Sequence, residues 1–318
     1  MSTSLLAGTT TVAEARTVAE ALRAAVEALR RAAPAVANLS PEKESELANE
    51  WRFDAELLLA HALQNTRISL FMDPKRVLSE DEAQRFSSLI ERRVRFEPVA
   101  YLLGEREFYG RPFAVDPRVL IPRPDTEVLV EVGLAALAKR SREASTTEAP
   151  RVLDLCTGSG AVAISIAKEV PRSEVLGTDV SEPALEVARE NARLLDASNA
   201  IFALGDLFHA VDAASQFDLI LANPPYIRND ERPTLSQDIL AHEPHVALFG
   251  GDEGLEFYRR IVDEAPAFLA PGAMLAVEVG HEQGDAVAEL FVKRGFREVT
   301  RTKDLQKIDR VISGIRRE

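Results

Sequence analysis

The sequence predicts an α/β chain in which a doubly wound, mostly parallel sheet follows a small helical domain. Three observations predict this. After residue 150, short apolar runs alternate with helical patterns, the signature of strands buried on both faces. In the first hundred residues the apolar positions follow helical spacing, and between the two regions lies a stretch rich in aromatic and β-branched residues and turn signals.

From Val12 to Ala33 the apolar residues Ala15, Ala19, Leu22, Val26 and Leu29 fall at alternating spacings of four and three, which predicts one helix with a single apolar stripe. Beyond Pro34 and a polar stretch from Asn38 to Asn49, DAELLLAHAL (54–63) and Glu80–Arg95 predict two more helices, the second with Ser79 as N-cap. These pack as a bundle. Glu107 to Ile121 predicts a β-hairpin with a Tyr-Gly turn, Thr126 to Lys139 a helix, and Arg140 to Pro150 a polar surface loop. RVLDL, EVLGTD, AIFAL, FDLILA and AMLAVEV then predict strands, with helices from Ala161, from Pro183 and over Glu256–Phe268. Two final strands near Phe296–Arg301 and Arg310–Ile315, joined by a short polar segment, predict an antiparallel hairpin at the sheet edge.

The composition limits function. The chain has 318 residues, 46% hydrophobic and 28% charged, enough apolar material for one large domain or a small and a medium one. A net charge of −13 argues against wrapping nucleic acid by neutralising phosphates, and no stable nucleic-acid partner is expected. Residues 1–120 are nearly balanced, with 16 basic and 18 acidic side chains, so any nucleic-acid contact would fall there. No run reaches the roughly 18 apolar residues of a membrane span. Cys156 is the single cysteine, which excludes an intrachain disulfide and a CxxC pair. With no targeting signal at the start, a cytoplasmic protein is expected.

Two motifs carry chemistry. In VLDLCTGSGAVA (152–163) a buried strand ending near Asp154 runs into a turn where Gly158 and Gly160 let a ligand approach the backbone. Twenty-one residues after Gly158, Asp179 closes the next strand, where a carboxylate can accept both ribose hydroxyls of a nucleoside. GSGAVA also fits the loose dinucleotide fingerprint. Asp154 would repel a pyrophosphate and attract the sulfonium and ammonium of S-adenosylmethionine, so the residues favour the latter.

The second motif, Asn223-Pro224-Pro225-Tyr226, ends the strand FDLILA. Strand carboxyl ends near a switch in strand order form the ligand crevice of such sheets, so both motifs are expected in one cleft. The prolines stiffen the loop and remove N–H donors, leaving carbonyl acceptors. The Asn223 side-chain oxygen and the Pro224 carbonyl would bind the two hydrogens of a planar NH₂ group, with Tyr226 packed on its flat face. Gln, Asn, adenine, cytosine and guanine all carry such a group.

With FDAELLLAHAL, EPVAYLLGEREFYG, LIPRPDTEVLV and EPHVALFGGDEGL beside DLCTGSGAVA and NPPY, the chain resembles, from about residue 18 to the end, the peptide chain release factor glutamine methyltransferases, the HemK-type family. NPPY alone is shared with DNA adenine and ribosomal RNA methyltransferases. The resemblance implies a class I S-adenosylmethionine-dependent methyltransferase fold: a Rossmann-like, seven-stranded sheet with its last strand antiparallel. It implies a helical domain over 1–104, with an extension before 17, a hairpin linker over 105–122 and a methyltransferase domain over 123–318. It further implies transfer of methyl from S-adenosylmethionine to the side-chain nitrogen of the Gln in the Gly-Gly-Gln loop of release factors, leaving S-adenosylhomocysteine.

By the same resemblance, Asp154, Cys156, Thr157, Gly158, Ser159, Gly160 and Asp179 hold the cofactor. Gly205-Asp206-Leu207-Phe208 borders adenine, and Arg123, Pro124 and Thr126 line the cofactor side. Asn223, Pro224, Pro225 and Tyr226 bind the Gln amide, with Asn223, Pro224 and Tyr226 in the catalytic role and Asn223 also touching cofactor. Many relatives have Gly where this chain has Cys156, and some an aromatic where it has Leu207. The extension before Thr17 and the stretch Ala35–Glu50 also depart from the pattern.

Other residues weigh less. His242-Glu243-Pro244-His245 lacks the helical spacing of a zinc site, so no metal is expected. Cys156 reads as a small packing residue, and Arg92, Arg93 and Arg95 as a solvated helix face. The readings left beside release-factor methylation are a nucleic-acid amine methyltransferase on adenine or guanine, a silent cofactor-binding module and a dinucleotide oxidoreductase.

Overall fold

The structure, a computed structural model, describes residues 11–32, 41–144 and 148–317. They divide into two compact units, one running to Gly104 and including Gln237–His242, the other formed by Glu105–Ser236 and Glu243 onward.

The first unit is helical: α1 (Val18–Ala32), α2 (Pro41–Ala62), α3 (Arg67–Met72), α4 (Glu80–Arg93) and α5 (Val99–Leu103). The helix expected from Val12 begins at Val18 instead, behind a 3₁₀ turn at Val12–Glu14. Its start is set by a reciprocal cap. Glu20 accepts the Arg16 and Thr17 N–H groups while Thr17 Oγ1 accepts the Glu20 N–H at 3.3 Å. The buried stripe is Val18, Ala21, Ala25 and Leu29, with Leu22 and Val26 on its flank, so the expected stripe is rotated by one position. α2 begins at Pro41, inside the polar stretch Asn38–Asn49 and well ahead of the helix expected over 54–63; a proline in the first turn followed by Glu, Lys, Leu and Ala favours helix despite its polarity. α3 and α5, of six and five residues, are too short to show a period. Phe86, Leu58 and Leu59 fill the centre of this unit, each fully buried. Arg92 pairs with Glu97 and Arg93 with Asp54.

Ser79 caps α4 as expected: its hydroxyl accepts the Glu82 N–H at 3.2 Å and its own N–H donates to Glu82 Oε2 at 2.9 Å. Ser79→Ala is expected to cost about 1 kcal/mol, read as a lower urea midpoint at unchanged slope. An unaltered midpoint would contradict the cap.

The second unit opens with the hairpin β1 (Glu105–Phe108) and β2 (Arg111–Ala114). Tyr109 and Gly110 both have positive φ, 51° and 70°, as a two-residue turn between strands requires. The strands end at Ala114, short of the expected Ile121, since residues 115–121 carry Pro117 in a turn. Next come α6 (Glu127–Ala144), β3 (Arg151–Leu155), α7 (Ala161–Glu169), β4 (Glu174–Asp179), α8 (Glu182–Leu194), β5 (Ala200–Leu204) and β6 (Phe217–Ala222). α9 (Gln237–His242) belongs to the first unit, and α10 (Glu256–Phe268), β7 (Leu269–Glu278), α11 (Gly284–Arg294), β8 (Arg297–Lys303) and β9 (Asp309–Ile315) complete the second. α6 continues through Arg140–Ala144, expected as loop, because KRSREA consists largely of helix formers; residues 145–147 of that expected loop lie outside the described residues. α11 was not expected from the sequence.

The sheet order is β5-β4-β3-β6-β7-β9-β8, parallel through β7, with β9 antiparallel to both neighbours. This is the class I methyltransferase fold with its last strand antiparallel. Alternation along the strands feeds two cores: Leu153, Leu155, Ile220 and Ala222 face α10 and α11, while Val152, Leu219 and Leu221 face α6 and α7. From β3 the chain proceeds outward to β4 and β5, then returns to place β6 on the other side of β3. The carboxyl ends of β3 and β6 therefore lie side by side at the switch in strand order, where such sheets open a crevice. Among the described residues no helix is long and apolar enough to cross a membrane.

Candidate active site

A cavity enclosing about 920 Å³, mouth included, opens at that crevice. Thirteen residues singled out in the sequence line it: Arg123, Thr126, Asp154, Cys156, Thr157, Gly158, Ser159, Asp179, Gly205, Asp206, Leu207, Asn223 and Pro225. The turns at 156–160 and 223–226 thus share one cleft.

The turn after β3 is held from below by Asp154. Its Oδ2 accepts the Thr157 hydroxyl at 2.6 Å and the Ala163 N–H, in the first turn of α7, at 3.1 Å. Asp154 is 1% exposed, and burial pushes its carboxyl up to about 7, with Asp179 adding to the rise. Asp179 is likewise raised by burial. Its two oxygens accept the Gly158 and Ser181 N–H groups, both at 2.9 Å, which fixes the plane of the carboxylate while leaving lone pairs for a ligand.

The two glycines differ. Gly158, at φ 54°, has nothing within 4 Å of where a Cβ would stand, so a ligand can lie against its backbone. Gly160, expected to do the same, faces the protein: a Cβ there would meet Ile164 at 2.9 Å and Ala188 and Phe202 at 3.2 Å. It serves helix–sheet packing. Cys156 and Leu207 have φ of 56° and 50°, the left-handed region that suits glycine best. Burial raises the Cys156 thiol well above its ordinary value, which keeps it protonated and unreactive. Phe208, expected beside the ligand, is stacked on Phe268 in the core, ring centroids 4.7 Å apart.

At the other turn Asn223 and Pro225 reach the cavity; Pro224 and Tyr226 do not line it. Pro224 is buried and Tyr226 packs against the core. The loop is clamped from behind by residues the sequence reading did not single out. Gln283 Nε2 donates to the Tyr226 carbonyl at 2.9 Å while its Oε1 accepts the Gly280 N–H at 3.0 Å. Gly250 approaches so closely that a Cβ would stand 2.4 Å from the Pro225 carbonyl oxygen. Glu243, 5% exposed, pairs with Arg123 and accepts the Ile121 N–H, tying together two segments that both line the cavity. Asp206 pairs with Arg260 at 2.7 Å. A visible signal existed for Glu278, a lone acid in the apolar strand AMLAVEV. His242 Nε2 contacts the Arg95 carbonyl and His245 Nδ1 contacts Arg232.

Chemically, the cavity offers two burdened carboxylates, an open glycine backbone and an asparagine amide. The carboxylates favour a ligand carrying positive charge; the open backbone and strand-end Asp179 suit a ribose.

Residues 20–104 match the PrmC N-terminal domain family and residues 130–253 the methyltransferase small domain family. The release factor glutamine methyltransferase of Thermodesulfovibrio yellowstonii is 39% identical over 274 residues, covering 85% of this chain and 96% of its own. That of Neisseria gonorrhoeae is 43% identical over 264 residues, covering 83% and 93%. Among solved structures, the hMettl16 catalytic domain in complex with MAT2A 3'UTR hairpin 6 matches 76% of this chain and 84% of its own at TM-score 0.51 and 15% identity, a likeness of fold alone. With relatives this similar along nearly their whole length, the chain belongs to the release factor glutamine methyltransferase family.

Proposed function

We propose that the cavity binds S-adenosylmethionine through the turn at 156–160, Asp154 and Asp179, and presents it to a glutamine side chain held by the turn at 223–226. The enzyme is a protein-(glutamine-N5) methyltransferase, and its substrate is the Gln of the Gly-Gly-Gln loop of peptide chain release factors. The observation that carries this reading is the meeting of the two turns in one cavity at the ends of β3 and β6.

The residues present suit the cofactor. Asp179 accepts the ribose hydroxyls, the bare face of Gly158 lets the nucleoside pass, and Asp206 and Leu207 border the base. Asp154 meets the cationic end, with Arg123 and Thr126 closing the same side. When bound, S-adenosylmethionine would supply an electrophilic methyl for the amide nitrogen, with the C–S electron pair staying on sulfur and one amide proton going to solvent. An amide nitrogen is a poor nucleophile because its lone pair is delocalised. Asn223 Oδ1 and the Pro224 carbonyl accept its two hydrogens, fixing the nitrogen in line and stabilising the positive charge that develops on it. Pro225 and Tyr226 hold that loop rigid.

Incubation with methyl-labelled cofactor tests the reading. Label should enter release factor and not a release factor whose loop Gln is replaced by Glu. Label in naked DNA or RNA with none in release factor would place the chain among nucleic-acid methyltransferases, and tight cofactor binding with no transfer would make it a binding module.

The raised Asp154 carboxyl has a measurable consequence. A cationic ligand lowers its pKa, so binding is strongest where the carboxylate is already ionised and weakens as pH falls through about 7. The cofactor Kd is expected to rise by up to about tenfold per pH unit below that point, and Asp154→Asn to remove the slope. A Kd independent of pH between about 7.5 and 5.5 would contradict the placement of the cation at Asp154.

A further inference from the structure

Behind Asn223 lies a carboxylate that methyl transfer as described does not use. Glu278 ends β7, one residue beyond the Ala222–Val277 pair that aligns β7 with β6. It is 1% exposed. The Thr126 and Asn223 side chains lie beside it and draw its pKa down, against the larger upward push of burial, and Asn223 Nδ2 stands 3.2 Å from Thr126 Oγ1. Its Oε2 is buried with no hydrogen-bond partner among the described residues. A buried carboxylate with an unsatisfied oxygen is worse for stability than an apolar side chain of similar volume. Its presence at the end of an apolar strand therefore calls for another explanation.

We propose that Glu278 is a positioning residue which, through the Thr126 hydroxyl, holds the Asn223 amide with its oxygen toward the substrate. The inference rests on the methyl-transfer reading and adds a residue to it. Hydrogen-bond polarity sets this orientation. An ionised carboxylate only accepts. Thr126 has one hydroxyl hydrogen, and giving it to Glu278 leaves only lone pairs facing Asn223. Asn223 must then turn its NH₂ toward Thr126, as the 3.2 Å contact has it, and Oδ1 remains for the glutamine. A flipped amide would set Oδ1 against oxygen lone pairs and oppose its NH₂ to the substrate NH₂. An asparagine alone has no such preference; the charge behind it supplies one.

The groups around Glu278 come from several elements. Arg310 on β9, Asp125 in the turn before α6 and Tyr226 after β6 all act on it electrostatically, and Tyr258 on α10 donates its hydroxyl to the Glu278 carbonyl at 2.9 Å. Burial pushes the Glu278 carboxyl up to about 7, with Arg310 opposing and Asp125 adding to the rise. Once protonated, Glu278 can donate to Thr126, and the polarity of the chain is no longer enforced. With cofactor and substrate saturating, kcat should therefore fall as pH drops below about 7.

The test compares full-length wild type with Glu278→Gln and Thr126→Val on release factor at pH about 8.5, where the native carboxylate is ionised. Both variants are nearly isosteric. The expected result is a fall in kcat of about tenfold or more in each, with the cofactor Kd of Glu278→Gln by calorimetry changed less than about threefold. Thr126→Ser, which keeps the hydroxyl, should recover most of what Thr126→Val loses, and Glu278→Gln should lack the acid limb in kcat. Wild-type enzyme that transfers no methyl to release factor would overturn the proposed function itself. Wild-type transfer with unchanged kcat in both variants would overturn this inference alone, as would a Glu278→Gln enzyme that keeps the acid limb.

Discussion

Asn223→Ala is expected to lower kcat by about 10³-fold while leaving the cofactor Kd within about threefold of wild type. The split follows from what the side chain touches. Asn223 follows the end of β6 with its Nδ2 bonded to Thr126, so on the proposed reading its remaining polar atom, Oδ1, accepts from the substrate amide. Removing it takes away an interaction that strengthens as the nitrogen gains positive charge, which is a loss of transition-state binding rather than of ground-state affinity. On the proposed reading the nucleoside is held elsewhere, by the turn after β3 and the end of β4. Steady-state kinetics at saturating cofactor, with calorimetry for the Kd, separates the two. Comparable turnover in variant and wild type would remove Asn223 from the reaction, and a large rise in Kd with kcat preserved would make it a cofactor ligand only.

Asp179→Ala is expected to do the reverse. Its carboxylate is raised by burial, anchored by the Gly158 and Ser181 N–H groups, and lies on the cavity wall. Loss of charge-assisted hydrogen bonds to the ribose should weaken cofactor binding by about 1.5–3 kcal/mol, roughly 10- to 150-fold in Kd, with kcat at saturation much less affected. Part of that loss would come from the freed Gly158 N–H. Asp179→Asn, which keeps one acceptor oxygen, should therefore fall between the two. A Kd unchanged in Asp179→Ala would show that the ribose is not held there.

What the residues revealed before the fold was known, and what they concealed, divides along physical lines. Strands buried on both faces announce themselves as apolar runs, and a turn of Gly or Asn-Pro-Pro at the end of one is local chemistry. RVLDL with its glycine turn and FDLILA with NPPY were therefore legible, and so was their meeting, because strand-order rules place such ends together. Gly158 and Gly160 look alike in sequence; they differ only in what a Cβ would meet, open space in one case and Phe202, Ala188 and Ile164 in the other. The helix α2 was hidden at its start because polar helix formers mimic a loop, and α11 because GDAVAELFVKR lies between strands without a cap residue such as Ser or Asp before it. Least legible was the support behind Asn223. Thr126, Asn223 and Glu278 are separated by 97 and 55 residues in the chain, and only the folded sheet makes them neighbours. The same holds for Gln283 beneath Tyr226 and for Glu243 on Arg123.

The measurement that bears most directly on the whole account is tandem mass spectrometry of release factor after incubation with the enzyme and S-adenosylmethionine. The account predicts one added methyl, localised to the side-chain nitrogen of the Gln in the Gly-Gly-Gln peptide and appearing about 10³-fold more slowly with Asn223→Ala. A methyl on any other residue of the release factor, or none at all from an enzyme shown to bind the cofactor, would contradict it.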